Sequence, residues 1–164
     1  MILVIVGTAS RPFDRLLDEM ERVSTSLDEV VVVQSGASAK KYQNMVCQQY
    51  FSEKEMMDNY DNASLIICHA GVGTIKNGLT RNIPLVLVPR KADLGEVDTD
   101  HQMMIARKVE SMGRGVIVED ISDLHSAIDC ARHLMFPPYE ENTELCDFLS
   151  ELLSEIDMAR RNKP

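Results

Sequence analysis

A glycine-rich turn at residues 69–74 carries the clearest chemical signal in the sequence. It reads His-Ala-Gly-Val-Gly-Thr and directly follows the apolar run 65–68. Its two glycines let the backbone approach a ligand closely. The amides that open the next helix, at the positive end of its dipole, form a site for phosphate, to which Thr74 adds a hydroxyl and His69 a ring N–H. Alone, a Gly-x-Gly sequence before a helix fits a phosphate site and a simple tight turn equally well.

Two common phosphate-binding motifs do not match this turn. The P-loop pattern G-x-x-x-x-G-K-[ST] fails because Gly73 and Gly78 have the right separation but Leu79 and Thr80 follow. The dinucleotide pattern G-x-G-x-x-G fails because position 76 is lysine and the turn is not the first in the domain. The turn therefore belongs to neither class.

A second polar cluster, residues 89–102, follows the next predicted strand and leads into a helix. Ligands of parallel α/β sheets bind at the carboxyl ends of the strands, so this loop should border the same crevice as the turn. Asp98-Thr99-Asp100 matches the Asp-x-Asp metal motif of some sugar transferases. Asp and Thr are also favoured helix caps, and acids in a first helical turn complement the dipole. We favour the capping role and predict no metal site.

The elements that must position these turns alternate between strand and helix. Strands are predicted at 2–6, 30–33, 46–51, 65–68, 84–88 and 116–118, and helices from Pro12, around 56–60, from 72, from Thr99, from 124 and after Pro137-Pro138. Continuous Val/Ile/Leu strands between helices imply a parallel sheet covered on both faces. We predict a single Rossmann-like, doubly wound α/β domain of about six strands. It spans residues 1–136, and 137–164 form a C-terminal helical extension.

Composition excludes several classes of protein. The chain has 164 residues, 45% hydrophobic, and a net charge of −9, which fits one globular domain and argues against a nucleic-acid partner. No apolar run approaches the roughly 20 residues that span a bilayer. The apolar N-terminus lacks a basic flank and a cleavage site, so we expect a cytoplasmic protein. Four widely spaced cysteines without a Cys-x-x-Cys pair predict buried, reduced thiols.

Acidic residues are missing from one stretch of this acidic chain. Residues 62–92 contain no Asp or Glu, whereas Lys76, Arg81, Arg90 and Lys91 all fall within them. Such a gap suits a site for an anion. It would also arise if two buried strands left few surface positions to charge, and the distribution alone leaves both explanations open.

The turn and the polar loop, in this order, resemble the donor-binding half of two-lobed glycosyltransferases, specifically the family 28 C-terminal domain. The resemblance covers nearly the whole chain: residues 4–8 and 11–14, the turn with Cys68 before it, 88–90, and Asp-His-Gln at 100–102. It is strongest to the small soluble donor-binding subunits of two-part UDP-N-acetylglucosamine transferases and their bacterial and archaeal exopolysaccharide relatives.

The resemblance implies a role for each matched residue. Asn77 stands where many relatives have a Glu that hydrogen-bonds the ribose, and an amide lacks that charge-assisted bond. Gln34 is assigned to the nucleotide as well. Asp100 and Gln102 would meet the donor sugar, and Arg90 or Lys91 would balance phosphate charge. The donor diphosphate would be held by Gly7, Thr8, His69, Gly71, Gly73 and Thr74.

The implied activity is transfer of a sugar, without metal or cofactor, from a nucleotide-diphosphate sugar such as UDP-N-acetylglucosamine to a lipid-linked acceptor. Preorganised amides would stabilise the charge that grows on the departing diphosphate. No general base is identified. His101 and His69 are candidates by residue type, but both match donor-side positions in the resemblance, whereas His125 and His133 are expected at the surface.

One lobe cannot enclose a donor and present an acceptor, so the resemblance implies a membrane-associated partner subunit that recruits this chain. The apolar stripe of the last helix could dock there, although we favour packing on its own sheet. The alternatives are a non-enzymatic nucleotide-binding α/β module and a stand-alone enzyme with a small soluble acceptor.

Overall fold

The computed structural model describes residues 1–99, 101–139 and 147–152. Within them the strands are β1 Ile2–Ile5, β2 Val31–Gln34, β3 Val46–Gln48, β4 Leu65–Cys68, β5 Leu85–Leu87 and β6 Gly115–Ile117. They form a six-stranded sheet in the order β3-β2-β1-β4-β5-β6, and every neighbouring pair is parallel. The predicted doubly wound, Rossmann-like sheet is confirmed.

Helices cover both faces because successive strand residues point to opposite sides. The helices are α1 Asp14–Ser24, α2 Glu53–Asn62, α3 Val72–Thr80, α4 His101–Ser111 and α5 Leu124–Arg132, with a 3-10 turn at Ile121–Asp123. Ile2 and Val4 pack in one core with α1 and α5, and Leu3 and Ile5 pack in a second core with α3 and α4. Residues 147–152 are also helical.

Several predicted boundaries are wrong by a few residues. Helix α1 begins at Asp14 rather than at Pro12, because Phe13 adopts a non-helical backbone (φ −122°, ψ 51°) with its ring fully buried. Strand β3 ends at Gln48 rather than at 51, where the chain turns toward α2. That helix starts with a capping box between Ser52 and Glu55, which satisfies two of its free amides.

The C-terminal segment is attached to the amino-terminal edge of the sheet and then packs on the second core. The buried Arg114 donates to Asn82 Oδ1 at 3.2 Å and to Pro137 O at 2.5 Å, and its guanidinium lies 4.5 Å from the Phe136 ring centroid. Farther along, Phe148, Leu149 and Leu152 join the core that contains α4. The described part of the apolar stripe therefore packs on its own domain, whereas Leu145 and Ile156 lie outside the described residues.

The prediction of buried thiols is only partly correct. Cys68 is buried at the end of β4, but Cys47 and Cys130 are exposed, and all three are unpaired. Cys47 is exposed because β3 is an edge strand with one open side. Cys146 lies outside the described residues.

Candidate functional site

The chain order of the sheet reverses between β1 and β4. From β1 the chain passes to β2 and β3 on one side, and it returns to β4 on the other side of β1. Crossovers that diverge in this way leave a crevice at the carboxyl ends of the two strands, which is where ligands of such sheets bind. The residues that follow β1, from Gly7, and those that follow β4, from His69, border this crevice.

A cleft of about 490 Å³ occupies this position, within the size range of small-molecule sites. We call it the switch-point cleft. Among its lining residues are eight that the sequence assigned to a nucleotide-sugar: Gly7, Thr8, Gln34, His69, Gly71, Gly73, Thr74 and Asn77. The structure thus brings together the predicted diphosphate and nucleotide residues, which come from three separate strand ends and one helix.

The opposite wall of the cleft was not predicted. It comes from α2 and the segment before it, and it is mostly apolar: Phe51, Glu53, Met56, Met57 and Tyr60. The sequence does show helical periodicity at Met56, Met57 and Tyr60. Periodicity identifies an apolar face without showing whether that face covers the core or a cleft.

The glycine-rich turn presents the amino end of α3 to the cleft. Gly71 is the N-cap residue, and no side chain caps α3 in the described structure. The preceding Ala70 has a φ of +64°, a left-handed conformation that few non-glycine residues adopt. The helix also has no acidic residue in its first turn. Its first amides and its positive dipole end are thus available to an anion.

The His69 ring explains why glycine occupies positions 7 and 71. A Cβ at Gly7 would lie 2.6 Å from His69 Cε1, and one at Gly71 would lie 2.5 Å from Nε2. The ring therefore fits only against two residues without side chains. Gly7 also has a φ of +85°, which glycine adopts without strain.

The ring N–H that the sequence offered to a phosphate is used inside the protein. His69 Nδ1 lies 3.3 Å from the carbonyl oxygen of Ile5, which can only accept, so Nδ1 carries the hydrogen. Burial, together with the charge of Arg90, lowers the pKa of His69, although its bond to Ile5 opposes this shift. With its pKa lowered, the ring is neutral at neutral pH, and Nε2 then holds a lone pair. A bond from Nε2 to a phosphate requires a second proton.

Asn77 lines the cleft with its side-chain amide already engaged. Its Nδ2 donates to Gly73 O at 2.9 Å, and its Oδ1 accepts from Arg81 Nη1 at 2.9 Å. Arg81 is held in turn by Asp61 at 2.7 Å and by the face of Tyr60. One Nδ2 hydrogen and one Oδ1 lone pair remain for a ligand.

Arg90 is buried at 2% exposure and does not line the switch-point cleft. Its guanidinium donates to four backbone carbonyls, among them Val6 O at 3.0 Å and Arg11 O at 3.1 Å, and lies 4.5 Å from the Phe13 ring centroid. Its Nε has no hydrogen-bond partner within the described part of the chain. The side chain thus joins the loop after β1 to the loop after β5. Direct contact with a phosphate is not indicated, and a role in charge balance stays a prediction.

Gln102, which the sequence assigned to the donor sugar, lies in the first turn of α4 and is not among the residues that line the cleft. Gln102 Oε1 accepts from the backbone N–H of Arg90 at 3.0 Å. His101 Nδ1 lies 2.8 Å from Thr99 Oγ1, a local contact at the helix start. Asp100 lies outside the described residues. As expected from the sequence, His133 is exposed at the end of α5, and His125 is partly exposed.

Two further findings concern residues 1–99, 101–139 and 147–152. They contain no group of three His, Cys, Asp or Glu side chains placed to hold a metal ion. None of their helices combines the length and apolar character needed to cross a bilayer.

The parallel sheet and the open helix terminus at its switch point define one Rossmann-like lobe of the kind found in two-lobed glycosyltransferases. The sequence model described as Glycosyltransferase family 28 C-terminal domain matches residues 1–151, and the chain belongs to this family. No curated protein matches the sequence.

Solved structures share the fold. A glycosyltransferase of kitacinnamycin is 18% identical with a TM-score of 0.64, and the match covers 99% of this chain and 43% of that one. MurG of Acinetobacter baumannii is 23% identical with a TM-score of 0.57, covering 80% and 42%. The UDP-GlcNAc 2-epimerase of Methanocaldococcus jannaschii, in complex with UDP-GlcNAc and UDP, is 11% identical with a TM-score of 0.61, covering 94% and 45%. The chain thus spans less than half the length of these proteins.

Proposed function

We propose that this chain binds the donor of a metal-independent glycosyltransferase, a UDP-sugar such as UDP-N-acetylglucosamine. One observation carries the proposal: the switch-point cleft gathers residues from three strand ends around the uncapped amino terminus of α3. In this proposal the diphosphate lies against the amides that follow Gly71, and the hydroxyls of Thr8 and Thr74 complete the cradle. The epimerase of similar fold, in complex with UDP-GlcNAc and UDP, supports the ligand class.

The nucleoside would extend from this cradle toward α2. Gln34 and Asn77 offer amide groups to it, and Phe51, Met56 and Met57 offer an apolar wall for a base. A site with a large apolar wall and a few placed polar groups is typical of small-molecule and cofactor pockets. The ribose contact would be weaker than one from a carboxylate, because Asn77 carries no charge.

The negative charge of the diphosphate would be compensated by a buried cation that does not line the cleft. No Lys or Arg is among the described residues that line it. Arg90 lies behind it, and the described structure shows no carboxylate bonded to its guanidinium, since the Glu96 carboxylate is held by Arg15. A buried cation and fixed amides act strongly on a departing diphosphate, because they do not reorganise as its charge grows. They would lower the barrier to sugar transfer without a metal ion.

A second lobe would bring the acceptor. The chain spans less than half of the solved glycosyltransferases that it matches. We infer a membrane-associated partner that binds a lipid-linked acceptor and holds this chain at the cytoplasmic face. Gln102 and Asp100 would meet the donor sugar between the lobes. The general base would come from the partner, or from His101 once it leaves Thr99.

Binding and transfer are tested separately. Calorimetry with UDP and a panel of UDP-sugars should show binding to the purified chain, and transfer should appear only when the acceptor lobe is co-expressed. If millimolar UDP neither binds nor raises the melting temperature, the proposal is refuted. Binding without transfer, whatever lobe is supplied, would favour a non-enzymatic nucleotide-binding module. Turnover by the purified chain alone would exclude the need for a partner.

A further inference from the structure

A bidentate ion pair holds the loop after β5, residues 89–99, to the first turn of α1. Arg15 Nε and Nη2 donate to the two carboxylate oxygens of Glu96 at 2.8 and 2.9 Å, and Nη2 also donates to Pro89 O at 3.0 Å. The two side chains are only 16% and 11% exposed. A planar guanidinium facing a carboxylate fixes orientation as well as distance, and partial burial protects the pair from screening by salt.

Glu96 also closes the loop on itself. Its Oε2 accepts from Lys91 N at 2.9 Å, and its own N–H donates to Lys91 O at 3.1 Å. Burial acts to raise the pKa of Glu96, but hydrogen bonds from Arg15 and from the backbone of Lys91 outweigh it and hold the pKa below its usual value. The carboxylate is therefore ionised at neutral pH and accepts the hydrogen bonds of Arg15 and Lys91 as a charged group.

Arg90 connects the closed loop to Gln102. Its guanidinium donates to Glu96 O at 3.3 Å, and its backbone N–H donates to Gln102 Oε1 at 3.0 Å. With Oε1 occupied, the carboxamide of Gln102 has a fixed orientation, and its Nε2 hydrogens can donate to another group. A continuous series of hydrogen bonds thus runs from α1 through Glu96 and Arg90 to the start of α4.

We propose that Arg15 and Glu96 are positioning residues for the donor sugar. Their ion pair holds the loop where Gln102 can present its amide to a sugar hydroxyl. The inference rests on the proposed function, which assigns Gln102 to the sugar and the glycine-rich turn to the diphosphate. Arg15, Glu96 and Gln102 do not line the switch-point cleft. Loss of the pair should therefore weaken sugar contacts and spare those to the nucleoside diphosphate, because a binding group needs its supporting residues to stay preorganised.

The test compares UDP with UDP-GlcNAc by calorimetry in the wild type, Glu96→Gln and Arg15→Lys. Glu96→Gln keeps the size of the side chain and an acceptor for Lys91 N while removing the charge. We expect its UDP affinity to stay within about twofold and its preference for UDP-GlcNAc over UDP to fall about tenfold, the effect of one lost hydrogen bond. Arg15→Lys keeps the positive charge but cannot bind both carboxylate oxygens of Glu96 at once. Its preference for UDP-GlcNAc over UDP should therefore lie between those of the wild type and Glu96→Gln.

Two further measurements separate positioning from general damage. Hydrogen exchange of residues 91–99 should become faster in Glu96→Gln, while that of 72–80 should not change. The control is Arg132→Gln, which breaks a half-buried pair with Glu29 (3.0 Å) at the amino-terminal edge of the sheet. This variant should lose stability without a change in the preference for UDP-GlcNAc.

The inference is overturned if Glu96→Gln loses affinity for both ligands equally or retains the full preference. It is also overturned if the wild type shows no preference for any UDP-sugar of the panel over UDP. A wild type that binds no nucleoside diphosphate would refute the proposed function itself, and this inference with it.

Discussion

Gly73→Val should remove ligand binding while leaving the fold intact. A Cβ at this position meets no atom within 4 Å, although Gly73 lines the switch-point cleft. The new side chain would therefore occupy the space above the first turn of α3, where the diphosphate is proposed to lie. A substitution at this position therefore distinguishes a glycine that leaves space for a ligand from a glycine that the fold itself requires.

The structure sets the expected magnitudes. Replacing Gly with Val inside a helix gains about 0.5 kcal/mol of helix propensity, so the melting temperature should change by only about 1–2 °C. Hydrogen bonds from amides to a charged phosphate contribute about 1.5–3 kcal/mol each. Losing two of them corresponds to roughly 3–6 kcal/mol, or about 100-fold to 10,000-fold weaker UDP binding.

The assay is titration calorimetry with UDP, accompanied by thermal unfolding of the free proteins. Lys76→Val is the matched control: it adds the same branched side chain to the exposed face of the same helix, outside the cleft lining. The control should bind UDP as the wild type does. UDP affinity within threefold of wild type in Gly73→Val would refute the phosphate cradle. An unfolded Gly73→Val would show that the glycine is required by the fold.

Three other predictions concern neighbouring features. Gly71→Ala should lower both stability and UDP affinity, because the new Cβ would displace His69. Thermal unfolding and calorimetry measure the two effects, and an unchanged melting temperature would contradict this packing. The pKa of His69 is lowered in the folded state, so its contribution to stability is complete above its ordinary pKa of 6.5 and is lost as pH falls through the lowered value. Urea unfolding from pH 7.5 to 5 should thus be less pH-dependent in His69→Gln, and parallel profiles would disprove the assignment. Arg114→Ala should lower the free energy of unfolding by roughly 2–4 kcal/mol, because it removes charged hydrogen bonds and ring contacts. It should also speed proteolysis after Pro137. Unchanged proteolysis would show that other contacts hold the segment after Pro137.

Much of the fold could be predicted because its signals are local. The periodicity of apolar residues over a short stretch distinguishes a strand from a helix. Strand β4, for example, was predicted at its observed bounds, residues 65–68. The turn before α3 was evident from its glycines. Boundaries were less accurate where a tertiary contact overrides local preference, as at Phe13, whose ring lies beneath the Arg90 guanidinium.

The candidate site, like the fold, was predictable only where its signals are local in the sequence. Glycines and hydroxyl residues at strand ends pointed to the switch-point cleft because parallel strands bring their carboxyl ends to one edge. The apolar wall from α2 could not be foreseen, because an apolar helix face looks the same in sequence whether it covers a core or a ligand. Asn77 was known to be an amide, but its bonds to Gly73 and Arg81 were visible only in the structure.

The order of elements, the parallel sheet and a glycine-rich turn before a helix start all follow from the sequence pattern. The roles of the charged residues depend on long-range contacts that the sequence does not show. Arg90 was predicted to balance phosphate charge, and the structure shows that its guanidinium binds carbonyls from the loops after β1 and β5; Arg15 pairs with Glu96, 81 positions away. Local pattern shows that a residue is charged. Which partner neutralises or binds it depends on segments that only folding brings together.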